Sequence, residues 1–396
     1  MARSVEAIVN PELLVWARTS GGYDVAQAAK KLRVTPERLE GWEQGRQRPT
    51  VAQLRRLAEV YKRPLAVFYL SKPPKNFDAM HDFRRMPGQI SGIESPQLRL
   101  EIRRALYRRE VALDLYNALE ESPPQPKASA EATEDPEDIA QRMRALIDVS
   151  PEQQKNWKDE NEAIRAWRTA IEHTGVLVFQ ARDVEPSEML GFSFAEMPLP
   201  VIVVNIKDPP RRRIFTMFHE LAHIMLGQNA ICDLDEENPR EPSDFRVEAF
   251  CNRIAGAALV PKAELLREEL VADTKGPREW SDEELASIAR HYWASREVVL
   301  RRLLILGRAT QGCYERKRQE YQKDYTPRRK KTGFATPDRL VISTAGEPFV
   351  RLVLNGYAND RITSSDVADF LELRLKHIPR IEETLLRHST SVGTQD

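Results

Sequence analysis

The chain has 396 residues, enough for two or three domains, and 41% of them are hydrophobic, enough for folded cores. Lysine plus arginine equals aspartate plus glutamate at 60 each, which excludes a global bias towards nucleic acid or another polyanion. The N-terminus lacks a signal-type apolar stretch and no run of about 18 apolar residues occurs, so we expect no membrane segment. The three cysteines, Cys232, Cys251 and Cys313, lack metal-ligand spacing and fit a reducing compartment, which predicts a cytoplasmic protein.

Residues 1–72 are predicted to form an all-α domain of five short helices. The first helix is expected from Pro11 to about Arg18 and the fifth from Pro64 to Tyr69. Good N-cap residues precede the second, third and fourth helices, and they are Asp24, Thr35 and Thr50. Two short helices joined by a turn inside such a unit form a helix-turn-helix pattern.

Residues 73–120 are predicted to be a helical connector. It begins with an irregular stretch from Asp82 to Gly88 and continues as a charged helix from about Pro96 to Glu120. The proline-rich polar segment 121–132 has nothing to bury, so residues 121–136 are predicted to be a linker.

Residues 137–270 are predicted to form an α+β domain, because β-rich runs alternate there with helical patterns. An apolar helix is predicted from Ile214, after the second predicted strand, and Gly227 is expected to end it. The predicted elements are a helix from about Asp159 to Thr174, strands at Gly175–Phe179 and Pro200–Asn205, the apolar helix from Ile214, and a helix from about Asp244 to Leu259.

After residue 270 the pattern is helical again. We predict a helical extension over 271–325, a basic linker over 326–336, a small helical unit over 337–388 and a disordered tail over 389–396. The predicted fold class is therefore multidomain and mainly α. It combines an all-α helix-turn-helix bundle, a central α+β domain with a small sheet, and a helical C-terminal region.

The most informative motif is His219-Glu220-Leu221-Ala222-His223, inside the apolar helix. On a helix the two histidines lie one turn apart on one face, where both imidazoles can bind one zinc ion with the glutamate beside a water molecule. With 7 histidines in 396 residues, a chance match is expected on the order of 0.01 times per chain. The alternative, a pair of hydrogen-bonded core histidines, leaves Glu220 without a role. The motif predicts metal-assisted hydrolysis with Glu220 as the catalytic base.

A catalytic zinc ion needs a third protein ligand and an open position. On sequence chemistry Glu248 is the candidate, and Asn252, one turn later, can orient a ligand through a hydrogen bond. Small residues at 255–257 are expected to let this helix approach the helix of the histidines closely. The rival ligands are acids of a predicted loop: Asp233, Asp235, Glu236 and Glu237. Candidates for the donor that stabilises the oxyanion are Tyr292, His291 and Tyr314, and a structural role is the alternative for each of them. Val201–Asn205 is a candidate for pairing with an extended substrate, and an ordinary core strand is the alternative.

Five segments stand in an order and spacing that resemble the ImmA/IrrE family of zinc-dependent peptidases. They are Gly175–Phe179, Gly191–Ser193, Pro200–Asn205, Phe215–His223 and Glu248–Pro261. The resemblance implies a zincin-like metallopeptidase domain, bound Zn²⁺ and Glu248 as the third ligand, because the glutamate that opens the last segment is a zinc ligand in that family. It also implies a protein substrate, typically a helix-turn-helix repressor cut at a specific site. Ile254 stands where the family commonly has an aromatic residue.

Residues 11–70 resemble the XRE (lambda-repressor-like) DNA-binding domains through Ala28-Ala29, Leu39–Thr50 and Leu54–Ala58. In such folds the N-terminal part of the third helix lies in the major groove. The residues expected to face the groove are Pro36, Glu37, Arg38, Glu40 and Gly41. Two acids are unfavourable beside phosphates, whereas Arg38 offers a bidentate base contact, and phosphates are within reach of Arg33, Arg46 and Arg48. Two hypotheses stay open for this domain: sequence-specific DNA binding, and docking on a partner protein.

The leading hypothesis for the whole chain is a zinc-dependent regulatory endopeptidase that cleaves a protein partner encoded by a neighbouring gene. Such a cut would control a mobile element or a stress response. The alternative is a non-proteolytic transcriptional regulator that binds DNA, a repressor or an antitoxin in a two-gene module. A third hypothesis is a toxin-like member of such a module. We also expect a homodimer, because repressor-like domains often pair.

Overall fold

The structure, a computed structural model, describes residues 5–74, 94–232, 242–323 and 336–392. The chain divides into two compact units, residues 1–104 and 105–396. Four features predicted from the sequence lie wholly or mostly outside the described residues: the stretch Asp82–Gly88, the four acids from Asp233 to Glu237, the basic linker and residues 393–396. Within the described ranges, no helix is both long enough and apolar enough to cross a membrane.

Residues 5–74 of the first unit contain four α-helices: α1 (Pro11–Ser20), α2 (Val25–Leu32), α3 (Pro36–Glu43) and α4 (Val51–Tyr61). The predicted caps act as expected, since Asp24 and Thr50 form capping boxes and Thr35 accepts from the Arg38 N–H. A 3₁₀ turn at Leu65–Tyr69 replaces the predicted fifth α-helix. The core of this unit is continuous, and its largest fully buried side chains include Trp42, Tyr61 and Phe68.

The helix Pro96–Ala118 contains the boundary between the units, after Arg104. The other helices of the second unit are Pro136–Ile147, Pro151–Lys155, Glu160–His173, Pro210–Met225, Pro242–Leu259, Lys262–Arg267, Glu269–Ala272, Asp282–Tyr292, Arg296–Ile305, Gln311–Lys323, Pro337–Ala345, Glu347–Ala358, Ser364–Phe370 and Ile378–Val392, with a 3₁₀ turn at Leu375–His377. The last helix extends into the tail that the sequence predicts to be disordered from residue 389. It does so because Ile381 and Leu385, at helical spacing, anchor it in the core.

A four-stranded sheet lies at the centre of the second unit, in the order β1-β3-β2-β4. The strands are β1 (Leu177–Ala181), β2 (Gly191–Phe194), β3 (Val201–Asn205) and β4 (Ala230–Cys232). β3 pairs in parallel with β1 and antiparallel with β2, and β4 continues the sheet beyond β2. The prediction that Val201–Asn205 pairs with a substrate is therefore wrong, because both edges of this strand are occupied by its neighbours.

The helix Pro210–Met225, called the His219 helix below, is almost completely buried. It packs against β2 and β3 on one side and against Pro242–Leu259, called the Glu248 helix below, on another. The ring of Trp167 meets the ring of Phe218 edge-on, with centroids 4.8 Å apart. The same hydrophobic core continues from Ile139 to Tyr314, so the helices after residue 270 share it with the sheet.

Two details of this core differ from the sequence predictions. The segment predicted to be a free linker is docked, since the Ala130 N–H donates to the Met225 carbonyl at 2.8 Å and Ala128 packs against the core. Gly256 is one of the small residues predicted to let the Glu248 helix approach the His219 helix, but it faces Arg302. A Cβ at Gly256 would be 3.4 Å from the Arg302 Cδ. The Arg302 guanidinium binds the Glu137 carboxylate with two hydrogen bonds, at 2.6 and 3.0 Å.

β1 forms the other edge of the sheet, and the C-terminal helices cover it. Helix Pro337–Ala345 packs against β1, and the ring of Phe349 meets the ring of Phe179 edge-on at 6.0 Å. The Arg168 guanidinium donates to the carbonyls of Val178 in β1 and Ser343. Among the described residues β1 pairs with β3 alone, and Arg168 and the C-terminal helices occupy its other side.

Candidate metal centre

His219 and His223 lie one turn apart on the buried His219 helix, as their spacing predicts. Their side chains are almost completely inaccessible, and their Nε2 atoms face each other at 3.0 Å. Proline at the first helical position and the apolar face of the helix explain why this segment forms a helix and why that helix lies inside the domain.

Glu248 reaches the two histidines from the neighbouring Glu248 helix. Its Oε2 lies 3.1 Å from the His219 Nε2, and its Oε1 lies 3.4 Å from the His223 Nε2. The three ligand atoms lie within 4.8 Å of one another. Asn252, one turn after Glu248, places its Oδ1 3.0 Å from the His219 Nδ1. An amide oxygen that accepts from Nδ1–H leaves the lone pair on Nε2, the atom that faces Glu248.

The electrostatics of His219, His223 and Glu248 favour a positive charge between their ligand atoms. Burial disfavours a charged imidazole, but the Glu248 carboxylate outweighs burial and raises the pKa of His219. Burial likewise disfavours the Glu248 carboxylate, yet hydrogen bonds from His219 and His223 hold its pKa well below its usual range. Two imidazole nitrogens and one carboxylate are ligands that zinc prefers. The donor set of this structure therefore fits a zinc ion, and the four rival acids lie outside the described residues.

Glu220 is fully buried beside the ligands and contacts strand β2. Its Oε2 accepts a hydrogen bond from the Ser193 hydroxyl at 2.7 Å. Gly191, two residues earlier on the same face of β2, allows this approach. A Cβ there would lie 2.5 Å from the Thr216 Cγ2 and 3.2 Å from the Glu220 Oε1. Sequence reasoning gave neither residue a role, although the alternation Gly191-Phe192-Ser193 places both on one face of a strand.

Replacing Gly191 by alanine is expected to destabilise the domain by about 1–3 kcal/mol, because a methyl group has no room between β2 and the His219 helix. Urea unfolding of the purified protein measures the loss. Gly276→Ala is the matched control, since a Cβ at Gly276 meets no atom within 4 Å. Equal unfolding midpoints for the two variants would contradict this close approach.

The structure engages the three candidate oxyanion donors in other contacts. The Tyr292 hydroxyl donates to the Glu268 Oε1 at 2.8 Å, and the His291 Nδ1 lies 2.9 Å from the Glu268 Oε2. The Tyr314 hydroxyl accepts from the Arg301 Nε at 2.9 Å. These three contacts hold helices of the second unit against one another. In the described structure, the hydrogen bonds of these three side chains go to Glu268 and Arg301 and not to His219, His223 or Glu248.

In the first unit, the exposed positions of α3 and its flanks carry arginines. The side chains of Arg33, Arg38, Arg46 and Arg48 are exposed, as are those of Pro36 and Glu37. Gly41, predicted to face the groove, is instead buried, because the chain after α3 folds back and the Gln47 N–H donates to the Gly41 carbonyl at 3.0 Å. The surface available to a partner is thus the N-terminal part of α3 and the turn after it.

Comparisons with known families agree with this architecture. Residues 171–304, which include the sheet, the His219 helix and the Glu248 helix, match the model of the IrrE N-terminal-like domain. Residues 14–68, which include most of α1 and all of α2, α3 and α4, match the model of the helix-turn-helix domain. No curated protein matches the chain. The chain therefore combines an N-terminal helix-turn-helix domain with a central IrrE N-terminal-like domain, the architecture that the two sequence resemblances imply.

Proposed function

We propose that this protein is a zinc-dependent regulatory endopeptidase. The observation that carries the proposal is the convergence of His219, His223 and Glu248 beside the buried carboxylate of Glu220. A three-ligand zinc site with an adjacent glutamate is the arrangement that hydrolytic zinc enzymes use. The match of residues 171–304 to the IrrE N-terminal-like domain supports a peptidase.

The chain's own residues would divide the work as follows. His219, His223 and Glu248 would hold the metal, while Asn252 accepts a hydrogen bond from the His219 Nδ1 and so keeps the ring in the required tautomer. Bound zinc would supply Lewis-acid activation of the attacking water and of the scissile carbonyl. Glu220 would accept a proton from the attacking water and pass it to the leaving amine. The burial of Glu220 keeps this proton transfer away from bulk solvent.

The helix-turn-helix domain supports a role in gene regulation, with either DNA or a protein as its partner. We propose that the substrate is a protein, in particular a helix-turn-helix repressor encoded by a neighbouring gene. Cleavage of such a repressor would release the genes that it silences. The non-proteolytic regulator of a two-gene module is the competing function.

The deciding experiment maps new protein N-termini in cells that express either the wild-type chain or Glu220→Gln at equal levels. The proposal expects at least one new N-terminus that requires the wild-type chain and disappears when zinc is chelated. The purified protein should then make the same cut in the purified target. If the two cell populations contain the same N-termini, the endopeptidase proposal is wrong and the non-proteolytic regulator is favoured.

DNA binding by the first unit is tested separately, by a gel shift with the DNA upstream of its own gene at two salt concentrations. Sequence-specific binding predicts that affinity falls steeply with salt, and that Arg48→Ala lowers the slope of log Kd against log salt by about one. Arg339→Ala, which removes an exposed arginine from the second unit, is the control. Absence of salt-sensitive binding would assign this domain to a partner protein.

A further inference from the structure

Strand β2 presents two different faces to the domain. Phe192 and Phe194 lie on one face, with ring centroids 5.3 Å apart. Gly191 and Ser193 lie on the other face, against the His219 helix. The second face therefore carries no bulky side chain, and its one side-chain hydrogen bond in the described structure goes to Glu220.

The position of Ser193 is fixed on both sides. In the sheet it is paired with Ile202 of β3 and with Ala230 of β4, and its side chain is completely buried. A hydroxyl on a central strand has little freedom to follow a moving partner. A hydrogen bond of 2.7 Å from such a donor to a carboxylate oxygen is charge-assisted, and it restricts the rotation of the carboxylate about its last bond.

We infer that Ser193 is a positioning residue of the metal centre, whose hydroxyl holds one oxygen of Glu220 so that the carboxylate keeps a single orientation beside the zinc ligands. The inference rests on the proposed peptidase function. Orientation matters for rate because a general base must lie within hydrogen-bond reach of the proton that it removes. Gly191 has a separate part in the same arrangement, since it allows β2 to approach the His219 helix closely enough for the bond to form.

The first test needs no substrate. A double-mutant cycle with Ser193→Ala, Glu220→Ala and the double variant measures how strongly the two side chains are coupled in urea unfolding. In the chain with Glu220, Ser193→Ala is expected to lower the folding equilibrium constant by about tenfold or more, because a buried carboxylate oxygen loses its donor. In the Glu220→Ala background the same change should have almost no effect. Equal effects in both backgrounds would overturn the inference.

The second test separates positioning from general structural support. Zinc stoichiometry of Ser193→Ala should equal that of the wild type, because all three ligands remain. On the target found by N-terminal mapping, kcat is expected to fall by about 10- to 100-fold with KM unchanged, since only the orientation of the base is altered. Ser193→Thr, which retains a hydroxyl, should recover most of kcat.

Thr310→Ala is the matched control, because the Thr310 hydroxyl donates to the Glu279 Oε1 at the same 2.7 Å, but on the protein surface. Its kcat should equal that of the wild type. Loss of zinc in Ser193→Ala, or an unchanged kcat, would overturn the positioning role while the peptidase function stands. A wild-type chain that binds zinc and cleaves no protein would overturn the proposed function and the positioning role together.

Discussion

Replacing Glu220 by glutamine is expected to abolish hydrolysis while the protein keeps its zinc. Glutamine has nearly the shape of glutamate and can still accept from the Ser193 hydroxyl, but its amide cannot take a proton from water. A general base contributes about 10²- to 10⁴-fold to the rate, so we expect a loss of at least two orders of magnitude. Cleavage of the mapped target measures the rate, and elemental analysis measures zinc per chain.

Glu283→Gln is the control for this experiment, because Glu283 is exposed on helix Asp282–Tyr292. Its rate and zinc content should match those of the wild type. A fully active Glu220→Gln variant would remove the general-base role. Loss of zinc from that variant would show instead that Glu220 helps to hold the zinc ligands in place. The contacts of His219 in the structure go to Glu248 and Asn252.

The second large effect is expected from Glu248→Ala, which should lose stoichiometric zinc. Two imidazoles on one helix remain, and they leave two positions open where a stable zinc site needs a third protein ligand. Removal of a residue that only hydrogen-bonds to a metal ligand lowers metal affinity by about 10- to 100-fold, and the loss of zinc affinity in Glu248→Ala should be larger. Asn252→Ala, which removes only the acceptor for the His219 Nδ1–H, provides this smaller loss for comparison.

Competition of each variant with a chromogenic zinc chelator measures these affinities. Unchanged zinc stoichiometry in Glu248→Ala would indicate that the third ligand is one of the four acids from Asp233 to Glu237. A loss in Asn252→Ala equal to that in Glu248→Ala would mean that the tautomer of His219, and not the carboxylate, controls metal binding.

The residues that meet at the metal centre could be predicted from the sequence to the extent that helical spacing relates them. His219 and His223 are one turn apart, so any helix brings them together, and the structure does so. Glu248 comes from a second helix, and spacing alone left the acidic loop as its rival. The family resemblance favoured Glu248, and the structure places one of its carboxylate oxygens 3.1 Å from the His219 Nε2 and the other 3.4 Å from the His223 Nε2.

The contact between Ser193 and Glu220 could not be predicted in this way. It joins two residues that are 27 positions apart, one on a strand and one on a helix, and it depends on how closely Gly191 lets these elements approach. The order of the strands in the sheet could not be predicted from the sequence either. The apolar run Val201–Asn205 predicts a buried strand, but not which strands flank it, and the three residues of β4 are too few to show a period.

The docking of part of the predicted linker could not be predicted for a related reason. Proline and polar residues at 121–132 indicate a segment without a core of its own. They do not show that Ala128 and Ala130 fit against a core formed by other parts of the chain. Composition measures what a segment can bury by itself, whereas docking depends on the surface that the rest of the fold offers.

The cover on β1 limits how far the chain can be shortened. A chain that ends at Lys323 would keep both regions that match known families, but it would lose helix Pro337–Ala345 and Phe349. Phe179 and the open side of β1 would then face water, with only Arg168 left across the strand. An uncovered edge strand is a template for pairing with the same edge of another molecule. We therefore expect the C-terminal helices, far in sequence from His219, His223 and Glu248, to protect the domain that contains these residues against aggregation.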